Sequence, residues 1–197
     1  MTNNNNKEIE VRLQLDDPEP LFKFFKNSAE FLKTSNQVDF YFDLPEKTFI
    51  YTDSNGYKNA DEWLRVRISD KNSVCYKKWY RDENTGKSLY TDEIELNIED
   101  GEKLITLLES LGFKKISVVD KHRESWKYRD FQFDCDKIKG LGSFVEIEFI
   151  GKIEDPTKGR EKIFDLLENL GIKNWKVIKG GYPWMLWNKD KNFFEES

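Results

Sequence analysis

Charged and apolar residues alternate along several segments of the chain, which is the pattern of β-strands with one buried face. The alternation predicts eight strands in hairpin-like order. Their ranges are 7–15, 37–44, 62–69, 73–80, 88–98, 113–129, 131–138 and 144–151. Turn-forming residues, such as those at 70–72, 82–86 and 139–142, connect neighbouring strands.

Amphipathic repeats predict helices at 17–33, 100–111 and 156–170, with a short terminal helix at 182–187. The longest connection, 45–60, is either a lid or an ordinary hairpin connection. The chain lacks βαβ alternation and has no glycine-rich phosphate loop opening a helix, which disfavours a parallel nucleotide-binding sheet. We therefore predict an α+β fold in which a closed antiparallel eight-stranded β-barrel carries helices packed outside.

Nearly every predicted strand has one charged face, because residues two apart on a strand point the same way. Ordinary sheets expose such faces to solvent. Here, however, the amphipathic helices need apolar sheet surface to cover, so the charged faces are expected to point inward. Dry burial would cost several kcal/mol per ion, so the barrel is predicted to be a water-filled tunnel. The predicted lining comprises Arg12, Arg65, Arg67, Lys77, Lys121 and Arg123 with Glu8, Glu10, Asp136, Glu146 and Glu148.

A lining with both signs of charge suits a polyphosphate and its divalent metals. Arginine and lysine bind phosphate oxygens, while clustered carboxylates provide the hard ligands that Mg²⁺ and Mn²⁺ prefer. Asp134, Glu93 and Glu95 also fall on charged faces. The repeat of one pattern on successive strands carries this interpretation, since any single pair of like charges is weak evidence.

Composition narrows the classes of partner. The net charge of −5 argues against a nucleic-acid partner, and no run of about 18 apolar residues indicates a membrane span, so the expected location is the cytoplasm. Cys75 and Cys135 are expected to be reduced packing residues, and His122 alone cannot build a histidine metal site. We predict a single domain over 7–188, a disordered polar tail at 1–6 and a polar C-terminal tail at 189–197.

Several motifs resemble those of the CYTH superfamily, the triphosphate tunnel metalloenzymes that include class IV adenylyl cyclases and thiamine triphosphatases. The motifs are Glu8-Ile9-Glu10-Val11-Arg12, Gln37-Val38-Asp39-Phe40-Tyr41, Leu64-Arg65-Val66-Arg67, Lys77, Lys121-His122-Arg123 and the stretch from Asp136 to Glu148. The family's opening signature is ExExK, and Arg12 replaces its lysine. Arginine keeps the charge but changes the reach and geometry at a phosphate.

The resemblance implies roles for individual residues. Glu8, Glu10, Asp136, Glu146 and Glu148 would hold Mg²⁺ or Mn²⁺. Arg12, Arg65, Arg67, Lys77, Lys121, Arg123 and Lys179 would bind the triphosphate. Glu8, Glu10, Arg12, Lys77 and Lys121 would act in catalysis. Glu93 falls on a further acidic position of the family, and Tyr182 resembles a tyrosine near the family's C-terminus.

The reaction stays open between two chemistries, with a slight preference for cyclisation of ATP to cyclic AMP and pyrophosphate. The alternative is hydrolysis of thiamine triphosphate or inorganic tripolyphosphate. A non-catalytic polyphosphate-binding module and an RNA 5′-triphosphatase are further candidates, and a homodimer is one candidate assembly. Trp63, Trp79 or Trp126 could stack on adenine, although aromatic residues on strands more often serve packing.

Overall fold

A large antiparallel sheet and four helices make up the described part of the chain, and together they form an α+β fold. The computed structural model describes residues 9–81, 88–152 and 156–195. The strands are β1 Glu10–Leu15, β2 Glu30–Asp43, β3 Ile50–Thr52, β4 Lys58–Ala60, β5 Glu62–Ile68, β6 Ser73–Arg81, β7 Ser88–Asn97, β8 Lys114–Tyr128, β9 Phe131–Ile138, β10 Gly142–Phe149 and β11 Trp175–Val177. The helices are α1 Glu19–Ser28, α2 Gly101–Ser110, α3 Pro156–Asn169 and α4 Tyr182–Trp187.

Hydrogen bonds place the strands of the large sheet in the order β11-β1-β10-β9-β8-β2-β5-β6-β7, while β3 and β4 form a separate hairpin. By contacts, the chain divides into two compact units. The first unit comprises Met1–Ser35, His122–Lys179 and Phe194–Ser197, and the second comprises Asn36–Lys121 and Gly180–Phe193. None of the helices within the described ranges is long and apolar enough to cross a membrane.

The core of the first unit lies between helices α1 and α3 and the apolar faces of strands β1, β9 and β10. Phe25 of α1 and Leu167 of α3 are buried in one cluster with Leu13 and Phe133. Helix α3 approaches β1 closely at Gly159, where an added Cβ would lie 2.7 Å from the Cδ1 atom of Ile9. The helices therefore cover the apolar side of this sheet, as the alternating pattern predicts.

The core of the second unit repeats this arrangement with helix α2. The Asp100 side chain caps α2 by accepting a hydrogen bond from the backbone N–H of Lys103, at 2.9 Å. On the buried face of the helix, Ile105 packs in one cluster with Phe42 of β2 and Val66 of β5. The charged positions of these strands alternate with the buried ones, so they belong to the opposite face of the sheet.

The 45–60 connection is a hairpin rather than an irregular loop. Asp53 shapes its turn, since one carboxylate oxygen accepts the backbone N–H groups of Asn55 and Tyr57, at 2.9 and 3.0 Å. The side chain of Asn188 then exchanges two hydrogen bonds with the backbone of Lys58, both 2.9 Å long. These bonds attach the hairpin to the end of helix α4.

Two sequence expectations differ from the structure. The helix predicted at 17–33 ends at Ser28, because Ala29 adopts an extended backbone with φ −104° and ψ 153°. Phe31 therefore lies on strand β2, where its ring contacts Trp126 edge to face at 5.0 Å between centroids. Strands β3, β4 and β11 were not predicted, since three residues are too few to show an alternating pattern. The turn expected at 82–86 lies outside the described residues.

Candidate functional site

Each unit carries one cluster of charged side chains on a strand face. We call the cluster of the first unit the acid-rich cluster, and it consists of Glu10, Arg12, Arg123, Asp134, Asp136, Glu146 and Glu148. We call the cluster of the second unit the base-rich cluster, and it consists of Asp39, Arg65, Arg67, Lys77, Glu93, Glu95 and Lys121. The candidate residue Glu8 lies outside the described residues.

Strand register builds the acid-rich cluster. Antiparallel pairing of β1 with β10 sets Glu10 opposite Glu148 and Arg12 opposite Glu146. Pairing of β10 with β9 sets Glu146 opposite Asp134. Directly opposed residues in a sheet point to the same face, so the register alone brings these charges together.

Arg12 joins two acidic side chains of this cluster. Its Nε atom donates to the Oε1 atom of Glu146 at 2.7 Å, and its Nη2 atom contacts the same oxygen. The Nη2 atom also lies 3.6 Å from the Oε1 atom of Glu10. A lysine would offer a single charged nitrogen here, whereas the arginine fork presents several N–H donors.

Arg123 binds three carboxylates at once. Its Nε and Nη2 atoms donate to Asp136 at 2.6 and 2.5 Å, and its Nη1 atom donates to Asp134 at 2.6 Å. Its Nη2 atom also contacts Glu146. Burial lowers the pKa of Arg123, but Glu146, Asp136 and Asp134 together raise it well above its ordinary value. The guanidinium is therefore permanently charged.

Asp134 binds Arg123, and Ser125 binds Asp134. Neither residue is among the site residues assigned from the sequence. The hydroxyl of the buried Ser125 donates to the Oδ1 atom of Asp134 at 2.6 Å, while the Oδ2 atom of Asp134 accepts the bond from Arg123. Ser125 lies two residues beyond Arg123 on β8, so it shares the face of the strand on which Arg123 lies. The sequence could not show that its hydroxyl reaches a carboxylate on β9.

Asp39 organises the base-rich cluster. It is 1% exposed, and its two oxygens accept bonds from the Nε and Nη2 atoms of Arg67 at 2.6 and 2.8 Å. The Nζ atom of Lys121 lies 3.6 Å from the Oδ2 atom of Asp39. Burial raises the pKa of Asp39, but Arg67 and Lys121 outweigh it and hold that pKa below the ordinary value of 3.8. Sequence reasoning used Asp39 only as part of a motif.

Arg65 and Lys77 pair with the two acids of β7. The Nη2 atom of Arg65 donates to Glu95 at 2.8 Å, and the Nζ atom of Lys77 lies 3.2 Å from Glu93. Ser73 also donates to Glu95, at 2.9 Å. Within the described ranges, the buried Nε atom of Arg65 has no hydrogen-bond partner.

Aromatic side chains adjoin the base-rich cluster. Trp63 lies on β5 at the same parity as Arg65, and its ring contacts Tyr41 at 5.4 Å and stacks on Trp187 at 5.2 Å. The Nζ atom of Lys121 lies 5.6 Å from the centre of the Tyr182 ring, which fits a cation–π contact. Trp63 and Tyr182 therefore lie beside cationic side chains of the base-rich cluster.

Trp79 also adjoins the base-rich cluster, whereas Trp126 packs against the core of the first unit. Trp126 stacks on Phe25 at 5.2 Å and packs against the core of the first unit. The ring of Trp79 lies 5.2 Å from the Nζ atom of Lys77. Lys179 follows strand β11 and has an exposed side chain.

The remaining polar candidates are two cysteines and one histidine. Cys75 and Cys135 are free thiols, and burial raises the pKa of each to about 12. The thiolate form that reacts with electrophiles is therefore scarce at neutral pH. His122 is exposed on β8.

Carboxylate oxygens are hard ligands, so the donor chemistry of the acid-rich cluster fits a divalent cation. Across the described ranges, no three acidic, histidine or cysteine side chains already form a metal-binding group. Arg12 and Arg123 instead provide the positive charge that pairs with Glu146 and Asp136. Glu10 and Glu148, opposite one another in register, add two further carboxylates to the donor set.

The structure is an α+β fold whose antiparallel sheet carries two charged clusters, and comparison with known proteins identifies the family. The CYTH domain matches residues 6–182, and the chain belongs to this family. The CYTH family comprises triphosphate tunnel metalloenzymes, which implies use of a divalent metal. The resemblance inferred from the sequence motifs is confirmed.

Relatives span nearly the whole chain. A Methanocaldococcus jannaschii protein, named provisionally as an adenylate cyclase, is 30% identical over 89% of this chain and 95% of its own length. The structure of the PH1819 protein from Pyrococcus horikoshii is 29% identical, with a TM-score of 0.70 over 92% of this chain and 99% of that one. A Hippeastrum protein, named provisionally as an adenylyl cyclase and described as revealing a dominant triphosphatase activity, is 19% identical. It shares the fold, with a TM-score of 0.62 over 94% of this chain and 97% of its own.

Proposed function

We propose that the protein is a divalent-metal-dependent enzyme that acts on a nucleoside or organic triphosphate. The observation that carries this proposal is the unequal division of charge between the two clusters. Acidic side chains predominate in one, whereas four cationic side chains, Arg65, Arg67, Lys77 and Lys121, gather in the other. A metal–triphosphate needs both carboxylate ligands and phosphate-binding cations. The closed eight-stranded barrel that the family resemblance implies is part of the proposal.

The acidic side chains Glu10, Asp136, Glu146 and Glu148, with Glu8, would hold the cation. When bound, such a cation neutralises phosphate oxygens and lowers the pKa of the attacking oxygen. Arg65 and Arg67 would bind the phosphates through their guanidinium N–H groups. Lys77 and Lys121 would stabilise charge that builds up on the leaving phosphate group.

The leading reaction is cyclisation of ATP. The ribose 3′-oxygen attacks the α-phosphorus, its proton is lost, and the bond to the β-phosphate oxygen breaks, giving cyclic AMP and pyrophosphate. The name of the Methanocaldococcus jannaschii relative supports this reaction. Trp63, one same-face position from Arg65, offers an aromatic surface on which a base could stack.

Hydrolysis is the second candidate, and the triphosphatase activity described for the Hippeastrum protein favours it. Water would attack the terminal phosphorus, the bond from that phosphorus to the bridging oxygen would break, and orthophosphate, the diphosphate product and a proton would be released. The same carboxylates and cations would serve this reaction, because the two chemistries differ in the attacking oxygen and in the phosphorus that it reaches.

The deciding experiment incubates the purified full chain with ATP, thiamine triphosphate or inorganic tripolyphosphate, each with Mg²⁺, Mn²⁺ or EDTA. Chromatography then resolves the products. Cyclic AMP with an equal amount of pyrophosphate establishes the cyclase reaction. Orthophosphate, released fastest from one of the three substrates, establishes a triphosphatase. Binding of tripolyphosphate without turnover of any substrate would leave a polyphosphate-binding module and reject an enzyme.

A further inference from the structure

Helix α4 lies against the sheet face that carries the base-rich cluster. Trp63 is directly opposite Lys77 in strand register, so the two side chains share one face. Trp187, the last residue of α4, stacks on Trp63 with 5.2 Å between ring centroids and 16° between ring planes. The ring of Tyr182, the first residue of α4, lies 5.6 Å from the Nζ atom of Lys121. The helix therefore contacts this face through both of its ends.

The hairpin of β3 and β4 holds the same helix. Trp184 and Asn188 lie about one helical turn apart, and both side chains bind the hairpin. The Nε1 atom of Trp184 donates to the Oδ1 atom of Asn59 at 2.8 Å, and its ring stacks on Tyr57 at 5.5 Å with 7° between the planes. The side chain of Asn188 exchanges two hydrogen bonds of 2.9 Å with the backbone of Lys58.

Helix α4 needs such contacts, because it has only six residues. Isolated helices shorter than about 12–15 residues are marginal in water, so tertiary packing must fix this one. The contacts with the hairpin are well buried, since Asn188 is 2% exposed and Trp184 is 9% exposed. An added Cβ at Gly180 would lie 2.8 Å from the Cδ2 atom of Trp184, so the chain entering the helix packs directly on that ring.

We propose that Asn188 and Trp184 are positioning residues for the base-rich cluster. By fastening helix α4 to the hairpin, they hold its first and last side chains against Lys121 and Trp63. The proposal rests on the proposed function, because Lys121 is one of the cations assigned to the triphosphate and Trp63 is the surface assigned to a base. It adds to the site two residues that the sequence motifs do not contain.

The position of α4 affects the charge that a phosphate would meet. The side chain of Lys121 is 4% exposed, and its Nζ atom lies between the Oδ2 atom of Asp39, at 3.6 Å, and the ring of Tyr182. If α4 loosened, the ring would move away and water would reach the ammonium group. Both changes weaken the attraction between Lys121 and a phosphate. The carboxylates assigned to the cation belong to the first unit, so cation binding should not depend on these contacts.

The test compares Asn188→Ala and Trp184→Phe with the unchanged full chain. Phenylalanine keeps a ring to stack on Tyr57 but lacks the indole N–H group. Asn27→Ala, at an exposed position of α1, is the matched control for loss of a carboxamide. Thermal unfolding in EDTA checks that each variant is folded.

Hydrogen exchange of the Trp187 indole reports on the position of α4 without any substrate. Its Nε1–H group donates to the backbone carbonyl of Ile116 at 3.3 Å, and the variant Trp187→Phe assigns its NMR signal. Calorimetry measures binding of tripolyphosphate in EDTA and, separately, binding of Mn²⁺. Turnover is measured with the best substrate.

We expect Asn188→Ala to speed exchange of the Trp187 indole by about 10-fold or more, because both side-chain bonds to the hairpin are lost. Trp184→Phe should speed it by about 2- to 10-fold, the range for one hydrogen bond. Tripolyphosphate binding by Asn188→Ala should weaken by about 2- to 30-fold, the range for one cation–π contact, and kcat/KM should fall with it. Mn²⁺ binding should stay unchanged, and Asn27→Ala should match the unchanged protein throughout.

Three results would overturn the proposal. The first is Trp187 indole exchange in folded Asn188→Ala that equals that of the unchanged protein. The second is faster exchange with unchanged tripolyphosphate binding, which would limit the hairpin contacts to stability. The third is equal weakening of Mn²⁺ and tripolyphosphate binding, which would indicate a general loss of structure. If Asn188→Ala does not fold, the same three results are decisive for Trp184→Phe.

Failure of this inference differs from failure of the proposed function. If the unchanged protein turns over a triphosphate, any of the three results rejects the inference alone. If the unchanged protein binds tripolyphosphate without turnover of any substrate, the proposed function fails alone. If it neither binds tripolyphosphate nor turns over any triphosphate, both fail.

Discussion

The two charged clusters use the same kinds of side chain in different proportions. In the acid-rich cluster, two arginines are distributed among five carboxylates, and Arg123 alone contacts three of them. In the base-rich cluster, the buried carboxylate of Asp39 is shared by Arg67 and Lys121. In each cluster, one residue of the minority charge, Arg123 or Asp39, pairs with two or more residues of the opposite sign.

Arg123 and Asp39, the residues of minority charge with several partners, organise their clusters. A buried charge without a partner is costly, so each cluster needs a counter-charge to exist in the folded protein. The excess charge that remains is what a ligand can use. An excess of carboxylates suits a cation, and an excess of basic groups suits phosphate.

The largest expected effect comes from removing the organiser of the base-rich cluster. Asp39→Asn leaves Arg67 and Lys121 without their buried counter-charge, and we expect the free energy of unfolding to fall by about 3–5 kcal/mol. Denaturant unfolding measures this, with Asp16→Asn, an exposed aspartate, as the control. A change below about 1 kcal/mol would contradict the central role of Asp39.

The same substitution changes the dependence of stability on pH. The pKa of Asp39 is lowered in the folded protein, so its contribution is full above the ordinary value of 3.8 and is lost as the pH falls through the folded pKa. Below about pH 4, the stability difference between the unchanged protein and Asp39→Asn should therefore narrow. A difference that widens on acidification would contradict the assigned direction of the shift.

Removal of a carboxylate from the acid-rich cluster should reduce metal-dependent turnover. Because loss of an orienting neighbour of a metal ligand already costs roughly 10- to 100-fold, we expect Glu10→Ala to reduce metal-dependent turnover by about 100-fold or more. Tripolyphosphate binding in EDTA should persist. Glu168→Ala, on the exposed side of α3, is the control. Unchanged turnover would remove Glu10 from the proposed metal ligands.

Removal of a cationic side chain from the base-rich cluster should weaken phosphate binding. We expect Arg65→Ala to weaken tripolyphosphate binding by about 10-fold or more, the usual effect of losing a hydrogen bond to a charged group. Pyrophosphate binding should weaken less, because the shorter ligand lacks one phosphate. Lys103→Ala, on the exposed face of α2, is the control. Equal losses for both ligands would argue against a contact with the terminal phosphate.

The smallest effect is expected for an ion pair outside both clusters. Arg160 and Glu195 lie 2.6 Å apart, but each side chain is 41% exposed. Solvent screens such a pair, so Arg160→Ala should change the free energy of unfolding by less than about 1 kcal/mol. An effect as large as that of Asp39→Asn would show that burial does not distinguish the clusters from ordinary surface pairs.

The alternating pattern predicted most of the elements that carry the two clusters. Strand β9 and helix α4 have the predicted bounds, and β5 and β6 differ by one residue. The three strands are strongly patterned, so side-chain parity could be read directly. Parity also placed Arg65 and Arg67 on one face.

The pairing of individual charges could not be predicted in this way. Parity places a residue on a face, but it does not say which neighbour on another strand its side chain reaches. The bond from Ser125 to Asp134 and the fork of Arg67 on Asp39 depend on strand register and rotamer. The short strands were missed because local propensity has little weight over three residues.

Besides attaching the hairpin to helix α4, the side chain of Asn188 occupies backbone groups at the edge of strand β4. Its side-chain amide donates to the carbonyl of Lys58 and accepts from the N–H of the same residue, as a neighbouring strand would. Strand β4 ends a two-stranded sheet, and such edges can pair with strands of other molecules. The amide occupies both bonding groups at Lys58. It therefore helps to protect the protein against edge-to-edge aggregation, which an aspartate, lacking the donor, would do less well.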